Sequence, residues 1–276
     1  MHEILRSLPS GARVLDLGSR SGSFTYTSYP IAIIAVDIEK PAQRGAACFV
    51  QADAGHLPFA AASFDAVICN HSLEHFVQLD AALEEIGRVL KRPGKLYVAV
   101  PDSSTLTDRL YRWLARGGGH VNAFASADDL VGKIRARIPE PLAAVRPLCT
   151  SLSFLNQRNH PSRPPRKLWL LGSGNEGVLV WLTYSLRVAD RALHTRWSLY
   201  GWALFFGEYA EPIRQDAWTN VCVRCGSGHP SGWLVEQGRV RNGLLGRHFA
   251  CPDCGARNRF TVDEKYRPAE PRSFAR

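Results

Sequence analysis

Four cysteines near the end of the sequence are spaced as two Cys-x2-Cys pairs. Cys222 and Cys225 form the first pair, Cys251 and Cys254 form the second, and a glycine follows each pair. Two such pairs supply four thiolates to one tetrahedral Zn²⁺, and the glycines permit tight turns that aim backbone N–H groups at sulfur. The pattern predicts a structural zinc site, because four thiolates leave no open coordination position.

A second group of residues with chemical potential follows the first apolar run, where the sequence from Val14 to Gly22 reads VLDLGSRSG. A dinucleotide-binding fingerprint counted from Gly18 requires glycines where this chain has Arg20 and Ser23. Asp16 would also repel a pyrophosphate, whereas it would attract a ligand that carries an ammonium and a sulfonium group. The turn therefore favours S-adenosylmethionine over NAD or NADP.

Alternating strands and helices must position these residues. Buried strands are predicted at Ala12 to Leu17, Ile31 to Asp37, Ser63 to Asn70 and Gly94 to Val100. Between the last two, Leu79 to Lys91 has apolar residues at three- and four-residue intervals, as an amphipathic helix requires. This alternation predicts an α/β fold, a Rossmann-like doubly wound and mainly parallel sheet that binds ligands beyond the carboxyl ends of its strands.

The later elements are less regular. Asp102 to His120 is a candidate lid, and a helix is predicted to start at Ser126. The sequence further predicts late strands at Leu142 to Phe154 and Ser198 to Phe206, a helix at Leu179 to His194 and an exposed loop at Asn156 to Lys167. Around the second cysteine pair, short strands are predicted at Trp233 to Val235, His248 to Ala250 and Arg257 to Val262.

From Ile4 to Pro101 the sequence resembles the class I methyltransferases of the group often called type 11. The family's first motif, Asp/Glu-x-Gly-x-Gly-x-Gly, falls on Asp16, Gly18, Arg20 and Gly22, with Arg20 in place of the middle glycine. The resemblance implies that Asp37 accepts hydrogen bonds from both ribose hydroxyls and that Asp53 lies near the adenine amino group. The full cofactor-binding set that it implies is Asp16, Gly18, Ser19, Arg20, Gly22, Asp37, Ile38, Asp53, Ala54 and Asn70.

Each of these residues also has a purely structural interpretation. Asp16 caps the adjoining turn in that interpretation, and Asp37 and Asp53 are solvated acids at strand ends. The sequence runs at Leu73 to Phe76 and Arg88 to Gly94 also match the family in order. Because several motifs occur in the expected order, we favour cofactor binding.

Three histidines are candidates for the base that a hydroxyl acceptor requires. His71 follows the predicted fourth strand, where the family lines the junction of cofactor and substrate. His75 occupies a common family position, and His120 lies beside the Gly-rich candidate lid. A loop-holding role for His75 and an exposed position for His120 are the competing interpretations.

The cysteine region resembles a zinc ribbon. We therefore predict a methyltransferase domain over residues 1–211, a four-cysteine ribbon over 212–265 and a polar tail over 266–276. The ribbon either grips a substrate or partner or only stabilises the chain end or a dimer. Its basic and aromatic residues permit nucleic-acid contact without demanding it, for example Arg239, Arg241, Arg247, Arg257 and Phe260. Both interpretations remain open.

Composition restricts the partners. The formal charge of +9 and the high Arg and Lys content suggest acidic partners such as nucleic acid, although no dense basic block occurs and nucleic acid is not favoured. Charged residues interrupt the apolar stretch from Gly177 to Phe206, so no membrane span is expected. The N-terminal residues do not read as a secretory signal, and paired cysteines without one point to a reducing compartment, so we expect a cytoplasmic protein.

The predicted reaction transfers a methyl group from S-adenosylmethionine to a nucleophile on a small molecule, glycan or lipid intermediate. One alternative is an RNA or protein methyltransferase that presents its substrate on the ribbon. Another is a non-catalytic scaffold, in which the altered glycine motif has lost the cofactor. An oxidoreductase is disfavoured, because the dinucleotide fingerprint fails at two positions.

Overall fold

The computed structural model describes residues 1–20, 22–24, 26–41, 48–114, 119–159, 175–244 and 246–262. The chain forms two compact units. The first contains Met1–Ser103, Gly119–Arg146 and Trp202–Gln215, and the second contains Ser104–Gly118, Pro147–Gly201 and Asp216–Arg276. The domain boundaries predicted at residues 211 and 265 stay predictions, and the predicted polar tail lies outside the described residues.

The described helices are α1 (His2–Arg6), α2 (Leu79–Val89), α3 (Leu106–Leu114), α4 (Ala127–Arg135), α5 (Glu176–Leu193) and α6 (Ser231–Glu236). The strands of the first half are β1 (Arg13–Leu17), β2 (Ala32–Asp37), β3 (Cys48–Gln51), β4 (Phe64–Asn70), β5 (Leu90–Pro101) and β6 (Leu142–Cys149). The remaining strands are β7 (Leu199–Phe206), β8 (Asn220–Val221), β9 (Gly228–His229), β10 (Val240–Arg241), β11 (His248–Ala250) and β12 (Arg257–Arg259).

Seven strands form one sheet in the order β3-β2-β1-β4-β5-β7-β6. The pairs β1–β2, β1–β4, β2–β3 and β4–β5 are parallel, so the predicted Rossmann-like, mainly parallel fold is confirmed. From β1 the chain first adds strands on one side of the sheet, β2 and β3, and then on the other side, β4 and β5, so the switch point lies between β1 and β4. Ligands of such sheets bind at the switch point, beyond the carboxyl ends of the strands. Four loops therefore meet at one edge, after β1, β2, β3 and β4.

The core explains why the predicted strands and crossover helix form. The β1 residues Leu15 and Leu17 and the β4 residue Val67 are almost completely buried. On α2, the residues Leu83 and Ile86 recur on one helical face and are also fully buried, which confirms the amphipathic helix. Apolar contacts between this face and the sheet hold the loop after β4 in place.

Helix α1, strand β3 and helix α3 were not predicted. Helix α1 has only five residues, too few to show a helical period. Strand β3 is only four residues long and half-exposed, so it has too few apolar positions to be recognised. Helix α3 lies inside the segment predicted to be a lid, and its buried residues, Thr107 and Asp108, are polar. Hydrogen bonds satisfy these buried polar groups, for example the one that Thr107 Oγ1 donates to the carbonyl oxygen of Leu199. Because the buried residues are polar, apolar periodicity does not reveal the helix. Gly117 and Gly118 of the candidate lid lie outside the described residues, as does most of the predicted loop at 156–167.

The region of the second unit that follows residue 216 contains a two-stranded β8–β9 hairpin and a three-stranded antiparallel sheet in the order β10-β11-β12. The predicted strand at Trp233 to Val235 is wrong, because these residues lie in α6. Leu234 is fully buried while Val235 is exposed, and the Leu234 N–H donates to the carbonyl oxygen of Pro230. A short apolar run does not distinguish a strand from one helical turn.

A membrane-spanning helix requires about 20 predominantly apolar residues. Among the helices in the described part of the chain, none combines that length with sufficient hydropathy.

Candidate functional site

The turn after β1 is held tightly between two neighbouring segments. The N–H groups of Gly18 and Ser19 donate to the carbonyl oxygen of Val36, at 2.8 and 3.1 Å. Gly18 has a φ of +72°, and a Cβ added there would lie 2.4 Å from the Cβ of Ser72. Glycine is therefore required at position 18 both by the left-handed backbone and by the close approach of the loop after β4.

Asp16 stabilises this turn from inside. Its side chain is buried and accepts hydrogen bonds from the backbone N–H of Ser23, at 3.0 Å, and from the hydroxyls of Ser23 and Tyr26, both at 2.6 Å. Burial raises the pKa of Asp16, partly offset by these hydrogen bonds. Asp16 therefore caps the turn, as its purely structural interpretation requires. A direct contact between Asp16 and the cofactor stays a prediction. Tyr26 was not predicted, because nothing in its spacing links it to Asp16.

Asp37 connects the end of β2 to the glycine turn. Its Oδ2 accepts from the N–H of Arg20 at 2.8 Å, and its Oδ1 accepts from the N–H of Glu39 at 3.0 Å. Arg20, at the position of the family's middle glycine, has a φ of +45°, so it adopts the left-handed conformation that glycine would adopt without strain. Each carboxylate oxygen has a second lone pair, so Asp37 can still accept hydrogen bonds from a ligand.

The loop after β3 also reaches this edge. The N–H of Ala52 donates to the carbonyl oxygen of Asp37 at 3.1 Å, which sets Asp53 beyond the end of β2. Asp53 Oδ1 accepts from the N–H of Gly55 at 2.8 Å, and Ala54 is buried. Ile38 is 63% exposed, although an apolar side chain of this size is usually covered.

The remaining cofactor-site candidates lie at the same edge. Asn70 ends β4 and is half-buried, and the N–H of Gly22 closes the glycine turn on the carbonyl oxygen of Ser19 at 2.6 Å. The structure therefore brings the predicted cofactor-binding positions together around the ends of β1, β2, β3 and β4. Their contact with a cofactor stays a prediction.

His71 stands at the start of the loop after β4. It has a φ of +55°, and its N–H donates to the carbonyl oxygen of Ala99 in β5 at 2.9 Å. Its Nδ1 lies 3.7 Å from Oε1 of Glu74, whose side chain is 2% exposed. The structure thus adds a buried carboxylate next to the histidine. Glu74 belonged to a recognised family run, but no spacing rule marked it as a site residue.

His75 and His120 come together although they are distant in sequence. Their ring centroids are 5.0 Å apart and the rings meet edge to face. The Nδ1 of His75 lies 3.0 Å from the carbonyl oxygen of Gly119, so the hydrogen bond fixes the ring against the loop that carries His120. One ligand atom from each of Glu74, His75 and His120 lies within 4.8 Å of the others.

The four predicted zinc ligands form a second cluster, in the other compact unit. The four Sγ atoms all lie within 4.8 Å of one another, and they belong to Cys222, Cys225, Cys251 and Cys254. The Sγ atoms of Cys222 and Cys254 are 3.4 Å apart, and those of Cys225 and Cys251 are 3.6 Å apart. Thiolates held about 2.3 Å from one tetrahedral Zn²⁺ are separated by similar distances, so these residues fit the metal.

The two cysteine pairs have matching backbone geometry. The N–H of Gly226 donates to the carbonyl oxygen of Cys222, and the N–H of Gly255 donates to that of Cys251, both at 2.9 Å. Both glycines have positive φ values, +80° and +71°. Around one sulfur, the N–H of Arg224 lies 3.4 Å from Sγ of Cys222, as a zinc-binding turn requires.

The strand order and the acid-glycine turn define a Rossmann-like α/β protein with a nucleotide-type ligand site at the switch point. The sequence profile of the family described as "Methyltransferase domain" matches residues 15–98. The malonyl-[acyl-carrier protein] O-methyltransferase of Methylococcus capsulatus is 30% identical over 186 residues, which are 58% of this chain and 67% of that protein. The chain belongs to the S-adenosylmethionine-dependent methyltransferases.

Other similarities are shorter or concern only the fold. A ubiquinone/menaquinone biosynthesis C-methyltransferase of Rhizobium leguminosarum bv. trifolii is 34% identical over 104 residues, 36% of this chain and 40% of that protein. A solved candidate methyltransferase from an antibiotic biosynthesis pathway of Anabaena variabilis has a TM-score of 0.51 and 14% identity, over 75% of this chain and 94% of that one. The chain thus spans two thirds of the first relative and less than half of the second.

Proposed function

We propose that this chain binds S-adenosylmethionine at the carboxyl edge of its sheet and methylates a small-molecule acceptor. The observation that carries the proposal is the position of Asp37. Its carboxylate ends β2, holds the glycine turn through the N–H of Arg20, and keeps lone pairs for the two ribose hydroxyls. Asp53 then takes the adenine amino group, and the exposed Ile38 covers one face of the adenine ring.

The reaction is a direct displacement at the methyl carbon. A lone pair of the acceptor forms the new bond to carbon, the carbon–sulfur bond breaks, and its electron pair stays on sulfur to give S-adenosylhomocysteine. A hydroxyl acceptor also loses a proton, which a histidine at the loop after β4 accepts. His71 is our first candidate, because it stands at the carboxyl end of β4 and the buried Glu74 carboxylate lies 3.7 Å from its ring. His75 and His120 are the other candidates.

The relatives limit the acceptor without naming it. One relative is named for an O-methyl transfer to a malonyl group on a carrier protein and another for a C-methyl transfer in quinone biosynthesis. The shared property is a small acceptor group rather than a common target atom. We therefore keep the class as a small molecule, glycan or lipid intermediate, free or attached to a carrier.

Ligand-dependent thermal unfolding tests the cofactor assignment. S-adenosylmethionine or S-adenosylhomocysteine at about 100 times its dissociation constant should stabilise the wild type by about 2.7 kcal/mol, whereas NAD and NADP should not. Asp37→Ala should abolish the shift, and Asp129→Ala, an exposed acid in the first turn of α4, should preserve it. If well-folded wild type shows no shift with either adenosyl ligand, the chain is a scaffold and the proposal fails.

A macromolecular acceptor is the second candidate, and the β10-β11-β12 sheet favours it. Arg241 pairs with His248 and His248 pairs with Arg259, so these three residues share one face, together with Arg257 two positions from Arg259. Burial and the positive charges of Arg257 and Arg241 lower the pKa of His248. A cationic sheet face of this kind binds polyanions such as RNA.

Binding of single-stranded RNA as a function of salt separates the two acceptor classes. If the second candidate is correct, the logarithm of the binding constant falls linearly with the logarithm of salt concentration, and Arg241→Ala with Arg257→Ala reduces the slope by about 1.4. Arg135→Ala, on α4, is the control. Absence of RNA binding at low salt removes the support that the β10-β11-β12 sheet gives to a macromolecular acceptor.

We also propose that the four cysteines bind one structural Zn²⁺. The support is the fit of the sulfur separations and the paired turns, and the closed ligand set leaves no position for substrate. Thiolate ligands of this kind persist in a reducing compartment, which supports the expected cytoplasmic location. Metal analysis of purified protein should find zinc, and Cys222→Ser with Cys254→Ser should remove one equivalent of it per chain.

A further inference from the structure

Glu74 has an unusual environment. Its side chain is 2% exposed, and Oε2 has no hydrogen-bond partner among the described residues. The other oxygen, Oε1, lies 3.7 Å from the Nδ1 of His71, which is too long for a strong hydrogen bond. A buried carboxylate with an unsatisfied oxygen is unfavourable unless a cation compensates it.

Two ring nitrogens lie next to this carboxylate. One ligand atom from each of Glu74, His75 and His120 lies within 4.8 Å of the other two. For three atoms separated by at most 4.8 Å, there is a point in space that lies within about 2.8 Å of all three. Zinc bonds to nitrogen or oxygen are about 2.0–2.2 Å long. Side-chain shifts of less than about 1 Å would therefore bring all three within bonding distance of one ion.

The backbone holds these three residues together. The N–H groups of Val121 and Asn122 donate to the carbonyl oxygen of Glu74, at 2.9 and 3.0 Å. The side-chain amide of Asn122 donates to the carbonyl oxygens of Leu73 and Phe76, at 3.0 and 2.7 Å. The segment that carries His120 is therefore fixed to the segment that carries Glu74 and His75, which is the preorganisation that a ligand site requires.

The tautomer of His75 also suits a ligand. A carbonyl oxygen only accepts, so the 3.0 Å contact with Gly119 places the proton on Nδ1 and leaves the lone pair of Nε2 available. Histidine ligands in metal sites commonly donate their other N–H to a backbone carbonyl in this way. His75 is exposed and His120 half-buried, so the cluster opens to solvent on the histidine side.

We propose that Glu74, His75 and His120 bind a divalent transition-metal ion with open coordination positions. Two imidazoles and one carboxylate are the ligand set of many sites that bind zinc, iron(II) or cobalt(II). The site is distinct from the cysteine quartet, which is closed. It is also next to the proposed cofactor turn, because Ser72 and Phe76, which flank the cluster, both approach Gly18.

The position of the ion implies its role, and this step rests on the proposed function. Open positions on the ion would take an acceptor oxygen and lower the pKa of that hydroxyl, so that its proton would be lost to solvent before or during methyl transfer. The acceptors that fit are therefore hydroxyl or enol compounds with a second oxygen able to chelate the ion.

Cobalt(II) titration tests the site in full-length protein that carries one equivalent of Zn²⁺, held by the cysteine quartet, and no other metal. We expect one further equivalent of Co²⁺ to bind, with ligand-field absorption but without the thiolate charge-transfer bands that cobalt in the cysteine quartet would show. Glu74→Gln keeps the side-chain volume but loses the anionic ligand, and His120→Ala alters only the half-buried loop histidine. Both should weaken Co²⁺ binding by at least about tenfold. His56→Ala, an exposed histidine outside the cluster, should leave the affinity unchanged.

The thermal shift with S-adenosylhomocysteine is measured on the same samples, so the two proposals fail separately. A normal shift without a second metal equivalent overturns the metal site and leaves the cofactor site intact. Equal Co²⁺ affinity in wild type and His120→Ala also overturns it, and this variant decides the question if Glu74→Gln does not fold. A second equivalent that both folded variants lose supports the site even if no adenosyl ligand binds.

Discussion

The cysteine quartet and the cluster of Glu74, His75 and His120 are built in different ways. In the cysteine quartet each ligand pair lies within four residues, and the same backbone hydrogen bond at 2.9 Å closes both turns. In the Glu74 cluster the segments that meet are far apart, as the 44-residue separation of His75 and Gly119 shows. The first geometry is encoded locally, whereas the second exists only when β4, its following loop and the 119–122 segment are folded.

This difference predicts different responses to disruption. Removing a local ligand should destroy the quartet and the small core around it, whose buried residues include Phe249 and Leu234 as well as the cysteines themselves. Disturbing the Glu74 cluster should instead weaken ligand binding while the surrounding sheet stays folded, because its side chains contribute little to the apolar core.

The largest expected effect is the loss of the cysteine quartet. Cys254→Ser, or removal of zinc by a strong chelator, should unfold the region around residues 216–262, because a core this small depends on its metal and structural zinc contributes about 10 kcal/mol or more. Hydrogen exchange should then report fast exchange at Phe249. Cys48→Ser, an exposed cysteine outside the quartet, is the control. Slow exchange at Phe249 in the zinc-free protein would contradict a metal-dependent core.

The next effect concerns the glycine turn against which the loop of Glu74 packs. Gly18→Ala should lower the free energy of unfolding by about 2–4 kcal/mol, because the residue has a φ of +72° and the added Cβ would lie only 2.4 Å from the Cβ of Ser72. Denaturant unfolding measures this, and the adenosyl-ligand shift should be lost. Gly132→Ala, in α4 with nothing within 4 Å of the added Cβ, should be stabilising by up to about 1 kcal/mol. Equal effects of the two substitutions would refute the tight turn.

Asn122→Ala tests whether remote contacts hold the Glu74 cluster. It removes two hydrogen bonds, to the carbonyl oxygens of Leu73 and Phe76, and should lower stability by about 1–2 kcal/mol. Amide exchange should accelerate in the 119–122 segment, while the exchange of residues near the cysteine quartet stays unchanged. Asn242→Ala, at an exposed asparagine, serves as the reference. If exchange at 119–122 is not faster, the amide of Asn122 does not hold this segment.

The smallest effect is a pH dependence within the second unit. Hydrogen bonds from Arg224 hold the pKa of Glu176 below its ordinary value, and Arg224 lies inside the first cysteine turn. A lowered pKa stabilises the folded chain above the unfolded value of about 4.3, and this contribution is lost as pH falls through the folded value.

Glu176→Gln should therefore lower the free energy of unfolding by about 0.5–1 kcal/mol at pH 7, a small effect because this pair is partly exposed. The effect should be much smaller at pH 3, where Glu176 is protonated in the unfolded chain. Urea unfolding of wild type and variant at the two pH values, with zinc in excess, measures the difference. A variant effect of the same size at both pH values would show that the ion pair does not contribute.

Much of the fold was predictable because hydrophobic periodicity is a local property. The predicted strands at Ala12 to Leu17 and Ile31 to Asp37 and the helix at Leu79 to Lys91 are confirmed within about two residues. The elements that were missed lack that signal. Strand β3 has four half-exposed residues, α3 buries polar side chains, and the apolar run of α6 fits either a strand or a helical turn.

The same distinction applies to the site. The acid-glycine turn and the cysteine pairs are contiguous motifs whose chemistry follows from residue type and spacing, so the sequence alone determined the methyltransferase class and the four clustered thiols. The partners of Asp16, the buried state of Glu74 and its meeting with His75 and His120 were decided only by the tertiary structure. The partners of Asp16 come from the turn that follows it, whose conformation no residue spacing revealed. The contacts of the Glu74 cluster join separate segments, which become neighbours only after the parallel sheet has brought the ends of its strands to one edge.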